Sequence, residues 1–304
     1  MKIIVAGASG FLGRPLSTAL AANGHDVVAL TRDAGATRLP DRVRPVRWAP
    51  DGTAGPWAAE IDGASAIVNL AGESIAAKRW SAGQKRRIVE SRVNATHSLV
   101  EAVRAAKAPP PVFVSGSAVG YYGPHNDELV TEETPAGSDF LAGVCVQWEA
   151  EAQRASSPRT RVVCMRTGLV LEKDGGALPQ MLTPFKLGAG GPLGSGRQYW
   201  PWIHRQDWID LVRWAIQTPA VSGPVNATAP NPVTNKTFTR ALGRAMHRPA
   251  FMPAPAFALR IMLGEMADAL LLSGQRAVPA KAQRLGLPFR YTDLDAALRA
   301  IFQL

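Results

Sequence analysis

Three glycines at three-residue intervals stand near the start of the chain, in Gly7-Ala8-Ser9-Gly10-Phe11-Leu12-Gly13-Arg14. They follow an apolar run, Ile3–Ala6, and open an alanine-rich stretch, Phe11–Asn23, that Gly24 ends. The pattern predicts a strand, a tight turn and a helix. Gly7 permits the turn, Gly10 lets a ligand approach the backbone, and Gly13 lets the helix lie close to the strand. The helix start offers unpaired N–H groups and a positive dipole end, which suit a phosphate. A turn of this kind at this place binds the pyrophosphate of a dinucleotide, with Ser9, Phe11 and Leu12 on its rim.

The kind of dinucleotide is read at the end of the next apolar run, Val27–Leu30, where the chain continues Thr31-Arg32-Asp33. An acidic residue there holds the ribose 2′-hydroxyl of NAD, whereas arginine pairs with the 2′-phosphate of NADPH. Arg32, helped by Arg14, favours NADPH. Asp33 keeps NAD open as the alternative, because a one-residue shift would put a carboxylate in that place.

The elements that must position these residues alternate along the first two-thirds of the chain. Strands are expected at Ile3–Ala6, Val27–Leu30, Val43–Trp48, Ala66–Leu70, Val112–Ser115 and Arg161–Arg166. Helices are expected at Phe11–Asn23, from about Ala82 to Ala106, and around Val144–Ala155. Strands joined by helical crossovers make an α/β fold, a Rossmann-type doubly wound parallel sheet. Beyond about Thr167 glycine and proline become dense, then a tryptophan-rich stretch and a largely helical remainder follow. The expected division is a Rossmann domain over 1–170, joined by a strand at 224–229, and a smaller, mostly helical lobe over 171–304. That lobe ends in a helical segment from about residue 250.

Composition narrows the class of protein. Of 304 residues 46% are hydrophobic and 19% charged, as in a soluble globular protein. The apolar stretch Ala254–Leu272 is broken by Arg260, Glu265 and Asp268, so it reads as a buried or partner-facing helix and not a membrane span. Cys145 and Cys164 provide neither a disulfide framework nor a zinc spacing, and no metal site is expected. A cytoplasmic, reduced protein is expected. The net charge of +10 is scattered, and its densest run, Lys85-Arg86-Arg87, reads as the wet face of a helix with Ile88 and Val89 turned inward. Nucleic acid is therefore an improbable partner, and a small anionic ligand a better one.

With these residues in place, the chain resembles the extended, nucleotide-sugar-epimerase-like branch of the short-chain dehydrogenase/reductase superfamily. Asn69-Leu70-Ala71-Gly72 resembles the segment beneath the adenosine and ribose. Arg166-Thr167-Gly168-Leu169-Val170 resembles the segment beside the nicotinamide, and Trp202-Ile203-His204-Arg205-Gln206-Asp207 a signature of the extended branch. A closer resemblance runs through Asn69–Ile75, Lys78-Arg79-Trp80, Ser117–Gly123, Gly190–Gln198, Asn226–Pro230 and the segment from about Phe251. It is to the atypical, YfcH-like epimerase-family proteins, whose C-terminal segment is a small domain of unknown function. The resemblance implies cofactor contacts from Leu70, Ala71, Gly72, Ser115, Gly168 and Leu169.

The resemblance weakens at the chemistry. Superfamily enzymes pair a serine or threonine with Tyr-x-x-x-Lys, the tyrosine moving a proton while nicotinamide moves hydride. Ser117 falls on the serine position. The tyrosine and lysine positions fall on Leu141 and Cys145, and no Tyr-x-x-x-Lys occurs in the chain. Either Tyr121, Tyr122 or His204 supplies the proton, or the fold binds NADPH without turnover, as a regulatory or sensor protein. Cys145 reads as a small buried apolar residue. On the substrate side, the resemblance puts Arg197 at the phosphates of a nucleotide sugar; Lys78 and Arg79 add positive potential, and Glu73 suits a sugar-like hydroxyl. Trp200, Trp202 and Trp208 read as packing. The expectation is an NADP(H)-dependent oxidoreductase or epimerase-like enzyme for a small anionic or sugar-like substrate.

Overall fold

The computed structural model describes residues 1–35 and 39–303. Seven strands form the central sheet: β1 (Lys2–Ala6), β2 (Asp26–Thr31), β3 (Val43–Arg47), β4 (Ala66–Asn69), β5 (Val112–Ala118), β6 (Arg161–Thr167) and β7 (Gly223–Ala227). They lie in the order β7-β6-β5-β4-β1-β2-β3 and every pairing is parallel. The order reverses between β1 and β4, so the crevice outside their carboxyl ends is where a ligand of such a sheet binds.

Alternation along the strands makes two cores. Ile3, Val5, Val27, Ala29, Val68, Val114, Val163 and Met165 face one side, against α1 (Gly13–Ala22) and α5 (Arg205–Gln217). Ile4, Ala6, Val28, Leu30, Ile67, Phe113, Val162 and Cys164 face the other, against α2 (Ala82–Ala105) and α3 (Phe140–Gln153). Both faces are covered, which is why the strands read as continuous apolar runs. A third core belongs to the later segment. There α4 (Leu178–Lys186), α6 (Asn235–Met246) and α8 (Leu294–Phe302) meet over Trp200, Trp202, Phe238, Leu242 and Leu298, with α7 (Ala256–Leu263) beyond them.

Several boundaries differ from those expected. The first helix starts at Gly13 because Gly10 N–H bonds the Gly7 carbonyl at 3.0 Å, which keeps Phe11 and Leu12 in the turn. α3 starts at Phe140, four residues early, because the Asp139 carboxylate accepts the Ala142 N–H at 2.8 Å and caps it. β5 runs on to Ala118, since β6 pairs with it as far as Ala118↔Thr167. The strand expected over 224–229 spans Gly223–Ala227 and adds to β6 at the sheet edge. α5 and β7 thus return from the later segment to the sheet. Ala254–Leu272 is broken at Gly264 into short helices, and no helix among the described residues is long and apolar enough to cross a membrane.

Candidate functional site

The glycine turn is shaped by close approach. Gly7 has φ of +80°, and a side chain there would bring Cβ to 2.7 Å from the Leu70 carbonyl oxygen. A Cβ on Gly13 would lie 2.1 Å from the Gly7 carbonyl oxygen. Neither distance is tolerable, so the two glycines let the turn, the β4 end and α1 meet. No side chain caps α1 and no acid lies in its first turn, so its positive end faces the crevice unopposed. Ser9, Gly10 and Arg14 are exposed on that rim. Phe11 is gripped from the later segment: a Cβ on Gly175 or Gly176 would come within 2.5 or 2.8 Å of its ring, and Arg205 stands 5.5 Å above it.

Around this turn the other cofactor candidates converge at the carboxyl edge. Arg32 is exposed just past β2, while Thr31 is buried with its hydroxyl 3.4 Å from the Asp33 carbonyl. Leu70 and Ala71 follow β4, where Asn69 Oδ1 accepts the Ala71 N–H at 3.2 Å and its amide donates to Thr96 at 2.9 Å. Gly72 is exposed beside them. Ser115 is fully buried and its hydroxyl turns to the Gly116 carbonyl, at 3.3 Å. Gly168 and Leu169 are half-buried, their N–H groups bonded to Ala227 and Pro201.

Beside this edge lies a buried polar cluster. The pairing register puts Ser117, Arg166 and Asn226 in one row across β5, β6 and β7. Arg166 grips Glu149 of α3 with two bonds of 2.8 Å, and Ser117 donates to the same carboxylate at 2.6 Å. Arg166 also donates to the Tyr122 hydroxyl at 3.0 Å, and that hydroxyl donates to Asn226 at 2.6 Å. The Tyr121 ring lies 3.4 Å from the guanidinium centre. Burial works against the Arg166 charge, but the Glu149 pair outweighs it and raises the pKa. Burial pushes the Tyr122 phenol up to about 12 despite Arg166.

Tyr121, Tyr122 and His204 were the candidate proton movers, with Ser117 on the serine position beside them. Tyr122 is 1% exposed and joined at its hydroxyl to Asn226 and Arg166. His204 stands apart from this cluster. Its Nδ1 accepts the Gln206 N–H at 3.0 Å, capping α5, and its ring lies on Tyr291 at 4.0 Å. Burial lowers its pKa, and an acceptor Nδ1 puts the proton of the neutral ring on Nε2. Ser117 holds its proton toward Glu149, leaving its lone pairs to accept from another hydroxyl. Tyr121 is half-buried with its ring over Arg166. Cys145 is buried, donates to the Ala118 carbonyl at 3.7 Å, and has its thiol pushed up by burial to about 11. It is a packing residue, as the sequence implied.

The substrate candidates do not gather on one wall. Glu73 is held by Gln84, at 2.7 Å, and by Arg87, at 3.7 Å. Lys78 and Arg197 are exposed and form no ion pair among the described residues. Lys85 bonds Glu265, tying α2 to the short helix Glu265–Ala267, so part of the basic run bridges segments and does not form a bare cationic face. Ile88 is fully buried and Val89 half-buried, as that helix face required. Trp200, Trp202 and Trp208 are 6%, 0% and 0% exposed and belong to the cores. Among the described residues no group of three or more His, Cys, Asp or Glu is arranged to hold a metal ion.

Glu149, Asn226 and Glu132 were given no site role in the sequence. Glu132 accepts the Asn226 N–H at 3.0 Å and the Lys281 N–H at 3.1 Å, fastening the late chain to β7. Their signal is faint. Arg166 and Asn226 are polar residues in apolar strands, and only a partner on another element explains them.

Comparison with known proteins agrees with this architecture. Residues 3–227 match the model of the NAD dependent epimerase/dehydratase family, and residues 254–301 match a domain of unknown function (DUF1731). An Arabidopsis thaliana relative, the chloroplastic epimerase family protein SDR39U1 homolog, is 41% identical over all of this chain and 87% of its own length. The epimerase family protein Mb2239 of Mycobacterium bovis is 42% identical over 97% of this chain and 96% of its own. The crystal structure of human epimerase family protein SDR39U1 (isoform 2) with NADPH superposes with a TM-score of 0.91, at 34% identity over 100% of this chain and 99% of that one. The fold, the glycine turn and these relatives together make the chain a member of the NAD dependent epimerase/dehydratase family.

Proposed function

We propose that the chain is an NADPH-dependent oxidoreductase or epimerase-like enzyme acting on a small anionic or sugar-like carbonyl compound. The observation that carries this is the uncapped start of α1, set by Gly7 and Gly13 at the point where the sheet order reverses. The positive helix end in the turn Gly7–Arg14 takes the pyrophosphate, and Arg14 and Arg32 at the carboxyl edge suit a 2′-phosphate. The human relative's structure contains NADPH, which supports that choice. The cofactor, when bound, supplies or accepts hydride.

The chain's own residues supply the rest. Ser117, whose proton is drawn to Glu149, accepts a hydrogen bond from a substrate hydroxyl and orients it. Tyr121 moves the proton, its ring held in place over the Arg166 guanidinium. Tyr122 and His204 hold structure. Positive groups at Arg197 and Lys78 would draw an anionic substrate toward the crevice.

The test is a titration with NADPH and NADH followed by turnover of NADPH over a panel of carbonyl compounds. NADPH-selective binding with turnover supports the reading. Tyr121→Phe should then cut kcat by about 100-fold or more while leaving the NADPH Kd unchanged. NADPH-selective binding without turnover on any member would favour a binding protein that reports cofactor state, the reading that the absence of Tyr-x-x-x-Lys leaves open.

A further inference from the structure

Buried charges in this molecule are met by counter-charges or by backbone groups: Glu132 and Asp207 accept N–H groups, and Arg161 donates to three carbonyls with both terminal nitrogens. Arg166 has Glu149, and Arg205 has Glu172 and Asp174. Arg92 on α2 is partly buried, yet it forms no ion pair among the described residues. Its Nη1 donates to two carbonyl oxygens, of Glu73 at 2.9 Å and Ile88 at 3.0 Å. The Glu73 carboxylate turns instead to Gln84 and Arg87. A guanidinium has five N–H groups, and carbonyls engage those of one nitrogen only. A desolvated cation without a carboxylate is costly unless a ligand completes it.

Its position is specific. A Cβ on Gly72 would come within 3.1 Å of the Arg92 Cγ and 3.3 Å of its Cζ, so the guanidinium lies against the loop that follows β4 at the switch point. On its other side it stands 5.2 Å over the Trp148 ring of α3. Trp148 is fixed there by its bond to Thr96, at 3.0 Å, and by Gly116, where a Cβ would lie 2.8 Å from the ring. Cys145, one turn earlier on α3, occupies the place where the resemblance calls for lysine, and the Arg92 charge reaches its thiol.

We propose that Arg92 is a cofactor-binding residue that reaches in from α2 to hold the nicotinamide half of NADPH, replacing the lysine that α3 lacks. The ligand chemistry is a ribose diol or phosphate oxygen, hydrogen-bonded by the Nε and Nη2 groups that the carbonyls leave unengaged. Burial lowers the Arg92 pKa, in keeping with a charge that has no carboxylate of its own. Cys145 then has a use: a small, uncharged side chain leaves room for a guanidinium that a lysine would repel.

This inference rests on the NADPH reading above, and its test separates the two. Wild-type protein, Arg92→Gln and Arg92→Lys are titrated with NADPH and with adenosine 2′,5′-bisphosphate, which carries only the adenosine half. Arg92→Gln should raise the NADPH Kd by about tenfold or more, the scale of a lost charge-assisted hydrogen bond. It should leave the bisphosphate Kd within about threefold, and Arg92→Lys should recover part of the NADPH loss. Equal weakening of both ligands by Arg92→Gln, or no weakening of either, overturns the role of Arg92 while leaving the NADPH reading intact. Wild-type protein that binds neither ligand overturns both.

Discussion

At the scale of single residues, charge and burial decide which polar groups are free to act. Arg32 is exposed at the end of β2, so removing it should alter ligand choice and not folding. Arg32→Ala should raise the NADPH Kd by about tenfold while changing the NADH Kd by less than about threefold, measured by fluorescence titration. His204 obeys the opposite logic. Its pKa is lowered by burial, so the unfolded chain binds the proton more readily than the folded one. The stability this provides is complete above the unfolded value of about 6.5 and is lost as pH falls below it through the folded pKa. His204→Asn retains a capping side chain. Thermal unfolding should therefore show a shallower fall in Tm between pH 7.5 and 5.5 for His204→Asn than for the wild type; an identical slope would remove this role.

At the scale of elements, the turn and the helix behind it form one unit. Gly13 is packed so closely that a methyl group would lie 2.1 Å from the Gly7 carbonyl oxygen. Gly13→Ala should push α1 away from the β1 end, destabilising the fold by about 1–3 kcal/mol or more and abolishing NADPH binding. Urea unfolding and titration would check each half of that statement. Retained affinity in Gly13→Ala would mean that the helix start does not carry the phosphates. α3 owes its early start to Asp139, whose capping bond to Ala142 lengthens the helix that carries Cys145, Trp148 and Glu149. A residue outside the helix thus determines how its inner face meets the sheet.

Across the whole molecule, the Ser117–Glu149–Arg166–Tyr122–Asn226 cluster joins β5, β6, β7, α3 and the turn after β5. The Arg166 and Glu149 side chains are 4% and 12% exposed, so a broken pair leaves a charge with little water. Glu149→Leu should destabilise the protein by about 3–5 kcal/mol, mostly from stranding Arg166, as read from denaturant unfolding. A loss under about 1 kcal/mol would mean that water reaches the cluster. Two further carboxylates fasten the late chain to the sheet. Asp207 on α5 accepts the N–H groups of Arg290 and Tyr291 at 2.8 and 2.9 Å, and Glu132 joins β7 to Lys281. The segment that follows α6 is therefore docked by backbone-directed bonds, while the loop before α4, at Gly175 and Gly176, reaches Phe11 of the turn.

What the sequence determined by itself was local. The Gly7–Gly13 spacing, the apolar strands and the alanine-rich helices are contiguous signals, because turn sterics and two-sided burial act over a few residues. They sufficed for the doubly wound sheet and for the placement of Arg14, Arg32 and Leu70–Gly72 on one edge. The absence of Tyr-x-x-x-Lys was equally legible. What only the tertiary structure decided was which polar residues meet. Ser117 and Glu149 are 32 residues apart, and Tyr122 and Asn226 are 104 apart. Their contacts depend on strand register and on how α3 packs, neither of which is written in any short segment. The same holds for His204, which by type could move a proton but which the fold turns into a helix cap, and for Arg92, which only the packing of α2 brings between Gly72 and Trp148.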